Sequence, residues 1–350
     1  MFARMSPVVV HVLESSNPDA GSVSICLDGL HKALTSHGME SKALTPPADA
    51  ARALGAADVV HIHGWGYALA ERMAAAAHQA GKPYIIAPQG SLTYGPYHKP
   101  TWKDRLRFAW RTRRLIRGAA CLTAMNPLEE QDLRAQNIHS TIHILPYGLR
   151  FDEYGLGLPD ETVTPASKSL LVLGSFHPRD GCVALLKAIA EIGPDADGWK
   201  VVLAGSDGGE WRKMLESAVR RKKGEDRVSF AAAATVAVQR ALLAQASLLA
   251  SPGLHIGPPV SIMQAVAGGV PAIASTCTAP PELDGAIRVF EPRREAMRET
   301  LRSVLKLPDE SRRAMAQRAR TAARALLDWS VLADRYVRLY KDVAEMNPNA

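Results

Sequence analysis

Two histidines and two aspartates have spacings that a metal ion could use. His61 and His63 alternate in VVHIH, a run typical of a strand, so both imidazoles face the same side of it. Imidazole is a common zinc ligand, but no third ligand lies near the pair in the sequence, which favours a strand-end or cleft histidine pair. Asp195 and Asp197 lie in GPDADGW, where glycine and proline favour a solvated turn. We therefore expect no metal site.

A second set of residues could bind anions through charge. The segment KPTWKDRLRFAWRTRRLIRG places a stripe of cations along one side of a predicted helix, at Lys103, Arg107, Arg111 and Arg114. Trp102, Leu106 and Trp110 lie on a neighbouring stripe. Two interpretations remain open: a solvated face beside an ordinary core face, or a helix that contacts a membrane surface or an acceptor.

Composition and motifs exclude several classes of protein. No dinucleotide fingerprint, P-loop or nucleophile elbow stands where a strand turns into a helix. The net charge of +7 and pI near 9.3 permit nucleic-acid binding, but no motif supports it, so we expect no nucleic-acid partner. Four cysteines without paired spacing, no signal peptide and no uninterrupted apolar span predict a cytoplasmic protein that is soluble or peripheral.

The elements that must position these residues alternate between short apolar runs and longer helical patterns. This alternation predicts βαβ units on parallel sheets, and 350 residues exceed what one core usually serves. We predict an α/β protein with two doubly wound, Rossmann-like domains facing a cleft. The predicted divisions are an N-terminal domain, a linker, a second domain and a C-terminal helix returning to the first domain, at residues 1–155, 156–168, 169–325 and 326–350.

Taken in order, the segments resemble a known family. They look like the GT-B glycosyltransferases of the large retaining family four, also called group 1. The strings that carry the resemblance are DVVHIHGWG, PYIIAPQGSL, CLTAMNPLEEQDL, ILPYGL, LLVLGSFHPRDG, VVLAGSD, DRVSF, GGVPAIAS, PPELDG and WSVLADRYVRLYKDV. The resemblance implies a nucleotide-sugar donor bound mainly by the second domain, an acceptor bound by the first, and no metal.

The donor motifs of that family are altered here. An arginine and a lysine that would face the donor phosphates fall on Ser175 and Asp180 in GSFHPRDG. Two family glutamates, eight positions apart, fall on Ile256 and Gln264; the amide of Gln264 can still hydrogen-bond a ribose. The glycine-rich turn between them reads GPPV and begins at Gly257, with two prolines that each lack an amide donor.

Other residues of the altered donor site keep polar or flexible groups. Arg179 lies one residue from the lost lysine, and we expect it either to reach a phosphate or to pair with Asp180 at the surface. His255 can offer a further donor. The family's Gly-Gly loop after the first strand appears as Gly21 and Ser22.

On the acceptor side, the family's histidine or arginine beside a glycine is replaced by Gln89 before Gly90, and we add His63 to this set. Two functions therefore remain open. The first is a hexosyltransferase acting on a glycan or a lipid-linked acceptor, peripheral on the inner membrane face. The second is an inactive relative, a pseudoenzyme that binds a glycan or a partner, since both glutamates and both phosphate-binding cations are replaced.

Overall fold

The chain forms two compact units, each built on its own sheet. The computed structural model describes residues 6–15, 21–46, 50–92, 112–154, 168–205, 209–221, 226–233 and 235–346. The first unit comprises residues 1–148, 256–258 and 329–350, and the second comprises residues 149–255 and 259–328. Of the linker predicted at 156–168, only Lys168 is among the described residues.

The first unit is a parallel sheet of six described strands in the order β2-β1-β3-β4-β5-β6. The strands are β1 Val9–Val12, β2 Ser41–Leu44, β3 Val59–His63, β4 Tyr84–Ala87, β5 Cys121–Ala124 and β6 Ile142–Ile144. Four of them, β1, β3, β4 and β5, are buried along their whole length. Helices on both faces of a parallel sheet explain why these strands are buried and largely apolar.

The helices of the first unit connect successive strands. They are α1 Ser22–Ser36, α2 Ala50–Ala56, α3 Ala68–Gln79, α4 Arg113–Arg117 and α5 Pro127–Ala135. Gly38 and Gly81 have φ values of 70° and 65° just after α1 and α3. Glycine adopts this left-handed conformation without steric cost, which is why these helices end there.

The second unit repeats the plan with the strand order β12-β11-β10-β7-β8-β9. Its strands are β7 Ser169–Gly174, β8 Lys200–Gly205, β9 Val228–Ala232, β10 Leu248–Ser251, β11 Ala272–Ser275 and β12 Arg288–Phe290. Its helices are α6 Phe151–Tyr154, α7 Cys182–Ile192, α8 Glu210–Arg221, α9 Val236–Ala244, α10 Val260–Ala267, α11 Arg294–Leu305 and α12 Asp309–Leu327. Leu185, Leu203 and Leu301 are among the fully buried residues of its core.

The last helix, α13 (Trp329–Glu345), belongs to the first unit. It packs on α1, where the side chain of Trp329 lies so close to Gly29 that any Cβ at that glycine would collide with the indole ring. Trp329, Tyr336 and Tyr340 are among the largest fully buried side chains of the chain. Helix α13 is therefore part of the first unit's core.

The predicted fold class is confirmed: two parallel α/β sheets, each with helices around it, form a two-domain Rossmann-like protein. The sequence reading missed β2 and β12, which both lie at sheet edges. Both strands are short and mostly exposed or half-buried, so neither shows the continuous apolar run of a central strand. Among the described residues, no helix has the length and apolar character needed to cross a bilayer.

Candidate functional site

The carboxyl ends of β7 and β10 lie side by side in the middle of the second sheet. The chain leaves β7 toward β8 on one side and returns through β10 on the other, and doubly wound sheets bind ligands where the winding reverses in this way. The loops after these strands are joined by a 2.7 Å hydrogen bond from the Leu254 amide to the Arg179 carbonyl. Gly181, with φ of 74°, leaves room for the Pro252 carbonyl, which a Cβ would meet. These loops form one continuous surface.

Ser175 and Asp180, the two positions where the family resemblance would place phosphate-binding cations, bond to each other. The backbone amide and the hydroxyl of Ser175 both donate to Oδ2 of Asp180, each at 2.8 Å. Asp180 therefore closes the loop after β7 and gives it a fixed shape. A carboxylate at this place would repel a diphosphate, but two donated hydrogen bonds spread part of its charge.

Arg179 is exposed beside this closed turn. Its backbone amide donates to Nδ1 of His177 at 3.1 Å, and the ring of His177 meets the edge of Trp211 with centroids 5.3 Å apart. Within the described part of the chain the guanidinium has no carboxylate partner, and Asp180 bonds to Ser175 instead. His255, half-buried, has Nδ1 3.4 Å from the Arg179 carbonyl. The structure thus brings Ser175, Arg179 and His255 together. The guanidinium of Arg179 is the cation that this group could offer to a phosphate.

Gln264, the predicted ribose contact, is buried. It is on α10 and only 3% exposed, and its amide nitrogen donates to Oε1 of Gln239 on α9 at 3.1 Å. Its carboxamide is engaged within the unit, which leaves Oε1 as the atom that it could offer to a ribose hydroxyl. Helix α10 begins after Pro259, which takes the N-cap position without a side-chain cap. Gly257 is half-buried in the segment 256–258, which groups with the first unit.

In the first unit, Gln89 and Gly90 follow β4 in an unusual backbone conformation. Their φ values are 56° and 80°, and Gln89 is one of the non-glycine residues with positive φ. The fully buried carboxylate of Glu129 accepts hydrogen bonds from the amides of Gly90 at 2.7 Å and Met125 at 2.8 Å. Burial raises the pKa of Glu129, and these backbone hydrogen bonds oppose that shift. Glu129 therefore holds the turn that presents Gln89.

His63, the third predicted acceptor-side residue, is buried and lies in a polar cluster. Its Nδ1 is 2.7 Å from the Tyr147 hydroxyl, and its Nε2 is 2.9 Å from Nδ1 of His11. The amide nitrogen of Gln89 donates to the same Tyr147 hydroxyl. Tyr147 thus joins the partly exposed Gln89 to the buried histidine.

The remaining predicted residues fall into two groups. Gly21 is the N-cap of α1, and Ser22 is the exposed first residue of that helix. Of the cationic stripe, Lys103, Arg107 and Arg111 lie outside the described residues. Arg114 lies on α4 and is exposed.

Sequence reasoning missed three residues of these clusters: His11, Glu129 and Tyr147. Asn126 and Glu129 stand three positions apart at the start of a helix, a spacing that signals an N-terminal cap, and the Glu129 amide does donate to Asn126. His11 and His61 lie in two separate apolar runs that form neighbouring parallel strands. The sequence does not specify the register of these strands, so it does not show that the two histidines lie side by side. Tyr147 had no signal of its own.

Comparison with known proteins identifies the class. Residues 7–148 match the family described as "Glycosyl transferase 4-like domain", and residues 167–306 match "Glycosyl transferases group 1". The two matches follow one another along the chain and cover most of it. The chain therefore belongs to the group 1 glycosyltransferases with the GT-B fold, and a glycosyltransferase function with a nucleotide-sugar donor is supported.

Individual relatives agree with this class. The chain is 23% identical over 306 residues to the GDP-mannose:cellobiosyl-diphosphopolyprenol alpha-mannosyltransferase of Xanthomonas oryzae pv. oryzae, covering 83% of this chain and 75% of the relative. Sucrose-phosphate synthase of Thermosynechococcus elongatus superposes with a TM-score of 0.75 at 18% identity, covering 96% and 99% of the two chains. Anabaena HepE, solved with UDP and glucose, gives 0.73 at 15% identity, covering 96% and 100%.

Proposed function

We propose that this protein transfers a hexose from a nucleotide sugar to a glycan or lipid-linked acceptor, without a metal in the transfer step and with retention of anomeric configuration. The observation that supports the proposal is the surface formed by the loops after β7 and β10. It lies where the winding of the second sheet reverses and carries Arg179 as an exposed cation free of carboxylate partners among the described residues.

The chemistry of the donor explains why one cation matters. A leaving nucleoside diphosphate gains negative charge as the glycosidic bond breaks, so fixed cations and hydrogen-bond donors at the phosphates lower the barrier. Arg179 replaces the missing cations, and the imidazole of His255 lies beside it. The hydroxyl of Ser175 donates to Asp180 and serves to shape the loop. The mannosyltransferase relative, whose name specifies a polyprenol-linked acceptor, supports the proposed acceptor class. Such an acceptor favours a peripheral position at the inner membrane face, with the segment 102–117 as the contact.

The test is transfer from radiolabelled UDP- and GDP-hexoses to a polyprenol-diphosphate oligosaccharide. We expect Arg179→Ala to lower kcat/KM by about 10- to 100-fold, the effect of losing one charged hydrogen bond. Arg324→Ala is the matched control, since Arg324 is an exposed arginine on α12 of the same unit. Equal activity of both variants would refute the assigned donor surface.

One observation favours a second function, an inactive glycan-binding or partner-binding subunit. The hydrogen bonds between Ser175 and Asp180 occupy the positions of both family cations, and the carboxylate lowers the affinity for a diphosphate there. This alternative predicts that the protein binds an oligosaccharide but turns over no nucleotide sugar. A glycan titration tests the binding, and the same transfer assay tests the turnover.

A further inference from the structure

Three histidines come together inside the first unit. His11 on β1 pairs in register with His61 on β3, and His63 lies two residues further along β3. In parallel neighbouring strands such positions face the same side of the sheet, so all three imidazoles lie on one face. Their rings confirm this, with centroids between 4.1 and 5.7 Å apart. None of the three is more than 4% exposed.

The hydrogen bonds of the cluster leave nitrogen atoms unused. Nε2 of His11 and Nε2 of His61 are buried and have no hydrogen-bond partner. Buried polar atoms in proteins are nearly always paired, because leaving one unpaired costs its full desolvation. Two such atoms in one cluster point to a ligand that accepts nitrogen lone pairs.

Two tyrosines set the orientation of the rings. The Tyr340 hydroxyl lies 2.8 Å from Nδ1 of His61, and the Tyr147 hydroxyl lies 2.7 Å from Nδ1 of His63. When each Nδ1–H donates to its tyrosine oxygen, Nε2 of both histidines carries a lone pair. That of His61 is free, and that of His63 accepts from Nδ1–H of His11, a hydrogen bond that a metal ion would replace. A metal-bound histidine typically donates its other ring N–H to an oxygen in this way.

The protonation state agrees with this arrangement. Burial is the main cause that lowers the pKa of all three histidines, and that of His11 falls to about 3. The rings are thus neutral at physiological pH, as metal ligands must be. Among the described residues, one nitrogen from each ring can be chosen so that the three lie within 4.8 Å of one another.

We propose that His11, His61 and His63 form a binding site for a late first-row divalent metal ion, with Zn²⁺ as the best match. Three imidazoles suit this class of ion, and nitrogens on a tetrahedral ion at about 2.0 Å lie about 3.3 Å apart, a distance that modest side-chain rotations reach. A solvent molecule completes the fourth position. The metal ion takes no part in the proposed transfer step, although its ligand His63 is also one of the predicted acceptor-side residues. It stabilises the first unit by linking β1 to β3.

The test uses the full-length protein without a histidine tag. After chelator treatment and dialysis, we titrate Co²⁺ and Zn²⁺ and read metal content, the visible absorption bands of tetrahedral Co²⁺ and the melting temperature. We expect one equivalent of Zn²⁺ per chain, cobalt bands that Zn²⁺ displaces, and a rise in melting temperature that chelator reverses.

Two variants of His11 and one control separate metal binding from folding. His11→Gln and His11→Phe are expected to lose the equivalent of metal and the cobalt bands, and phenylalanine keeps most of the ring volume so that the unit folds. His143→Gln is the matched control, because His143 is an exposed histidine on β6 of the same unit. The result that overturns the proposal is no stoichiometric binding by the wild type, or equal binding by the folded His11→Phe variant.

A nucleotide titration distinguishes failure of the metal-site proposal from failure of the proposed function. We expect the affinity for nucleoside diphosphates to be unchanged when the metal is removed, because the donor surface lies on the second unit. A wild type that binds metal but no nucleotide would contradict the proposed function alone. Nucleotide binding without metal binding would contradict the metal site alone.

Discussion

At the residue scale, Asp180 is the most consequential departure from the family motif on the proposed donor surface. It holds the loop after β7 through two hydrogen bonds from Ser175, and it stands next to Arg179. We predict that Asp180→Asn raises the affinity for a nucleoside diphosphate by about two- to fivefold at low salt, because the amide oxygen still accepts a hydrogen bond while a repelling charge is removed. Calorimetric titration measures this.

The control for that prediction is Asp197→Asn. Asp197 lies in the same unit, is largely exposed and pairs with Arg227. If Asp197→Asn gained as much nucleotide affinity as Asp180→Asn, the effect would be one of general charge. A loss of affinity in Asp180→Asn would show that the carboxylate of Asp180 favours nucleotide binding.

Glu129 gives a prediction for the turn that carries Gln89 on the proposed acceptor side. Glutamine in its place can accept from one amide, but its NH₂ group then faces the other amide donor of Gly90 or Met125. We predict that Glu129→Gln lowers the free energy of unfolding by about 1 to 3 kcal/mol at pH 5. Denaturant unfolding measures the change, and Glu130→Gln, at a more exposed neighbouring position on α5, is the control.

The pH dependence of this difference has a definite sign. Burial raises the pKa of Glu129 in the folded state, so the folded protein binds more protons than the unfolded chain. The stability that this group contributes is complete below its unfolded pKa and is lost as pH rises through the folded pKa. We therefore expect the gap between wild type and Glu129→Gln to narrow from pH 5 to pH 8, and a widening gap would contradict the account.

At the element scale, the packing of α13 on α1 depends on a missing side chain. A Cβ at Gly29 would collide with the indole ring of Trp329, whereas a Cβ at Gly55 on α2 would meet nothing within 4 Å. We predict that Gly29→Ala destabilises the protein by roughly 1 to 3 kcal/mol, although alanine favours helices. Gly55→Ala, the matched helical control, is expected to be neutral or slightly stabilising, and equal effects of the two changes would contradict this packing.

Particular elements show how far the sequence predicts this fold. The central strands are read correctly because burial on both faces favours largely apolar runs such as VVVHV and PYIIA. Two of the four edge strands, β2 and β12, are missed because SKAL and RVF are largely exposed and contain too few apolar residues to stand out as strands. The hydrogen bonds from Ser175 to Asp180 and from Gly90 to Glu129 were not predicted. They depend on loop geometry, which residue types alone do not specify. The third histidine depends on register, which emerges only when strands pair.

At the scale of the whole molecule, each unit draws on distant parts of the chain. Helix α13 supplies Trp329, Tyr336 and Tyr340 to the core of the first unit, more than 180 residues after its last strand. We predict that a chain ending at Asp328 fails to fold its first unit, because the apolar surface under α13 is exposed. Hydrogen exchange followed by mass spectrometry would show lost protection in β1, β3 and α1 and native protection in β7 to β11.

A chain ending at Glu345 keeps the whole of α13 and is the control for this truncation. It is expected to exchange like the wild type. Native protection of β1 and β3 in the chain that ends at Asp328 would show that the first unit folds without the helix, contrary to the burial of its three aromatic residues.

The central claim is that the second unit binds a nucleotide-sugar donor on the surface after β7 and β10. Calorimetric titration with UDP, GDP, ADP and their hexose conjugates tests it most directly. The account predicts micromolar binding of one nucleotide, weakened about tenfold or more in Arg179→Ala and Gln264→Ala and unchanged in Arg324→Ala. Absence of binding to every nucleotide, or binding that both site variants leave unchanged, would contradict it.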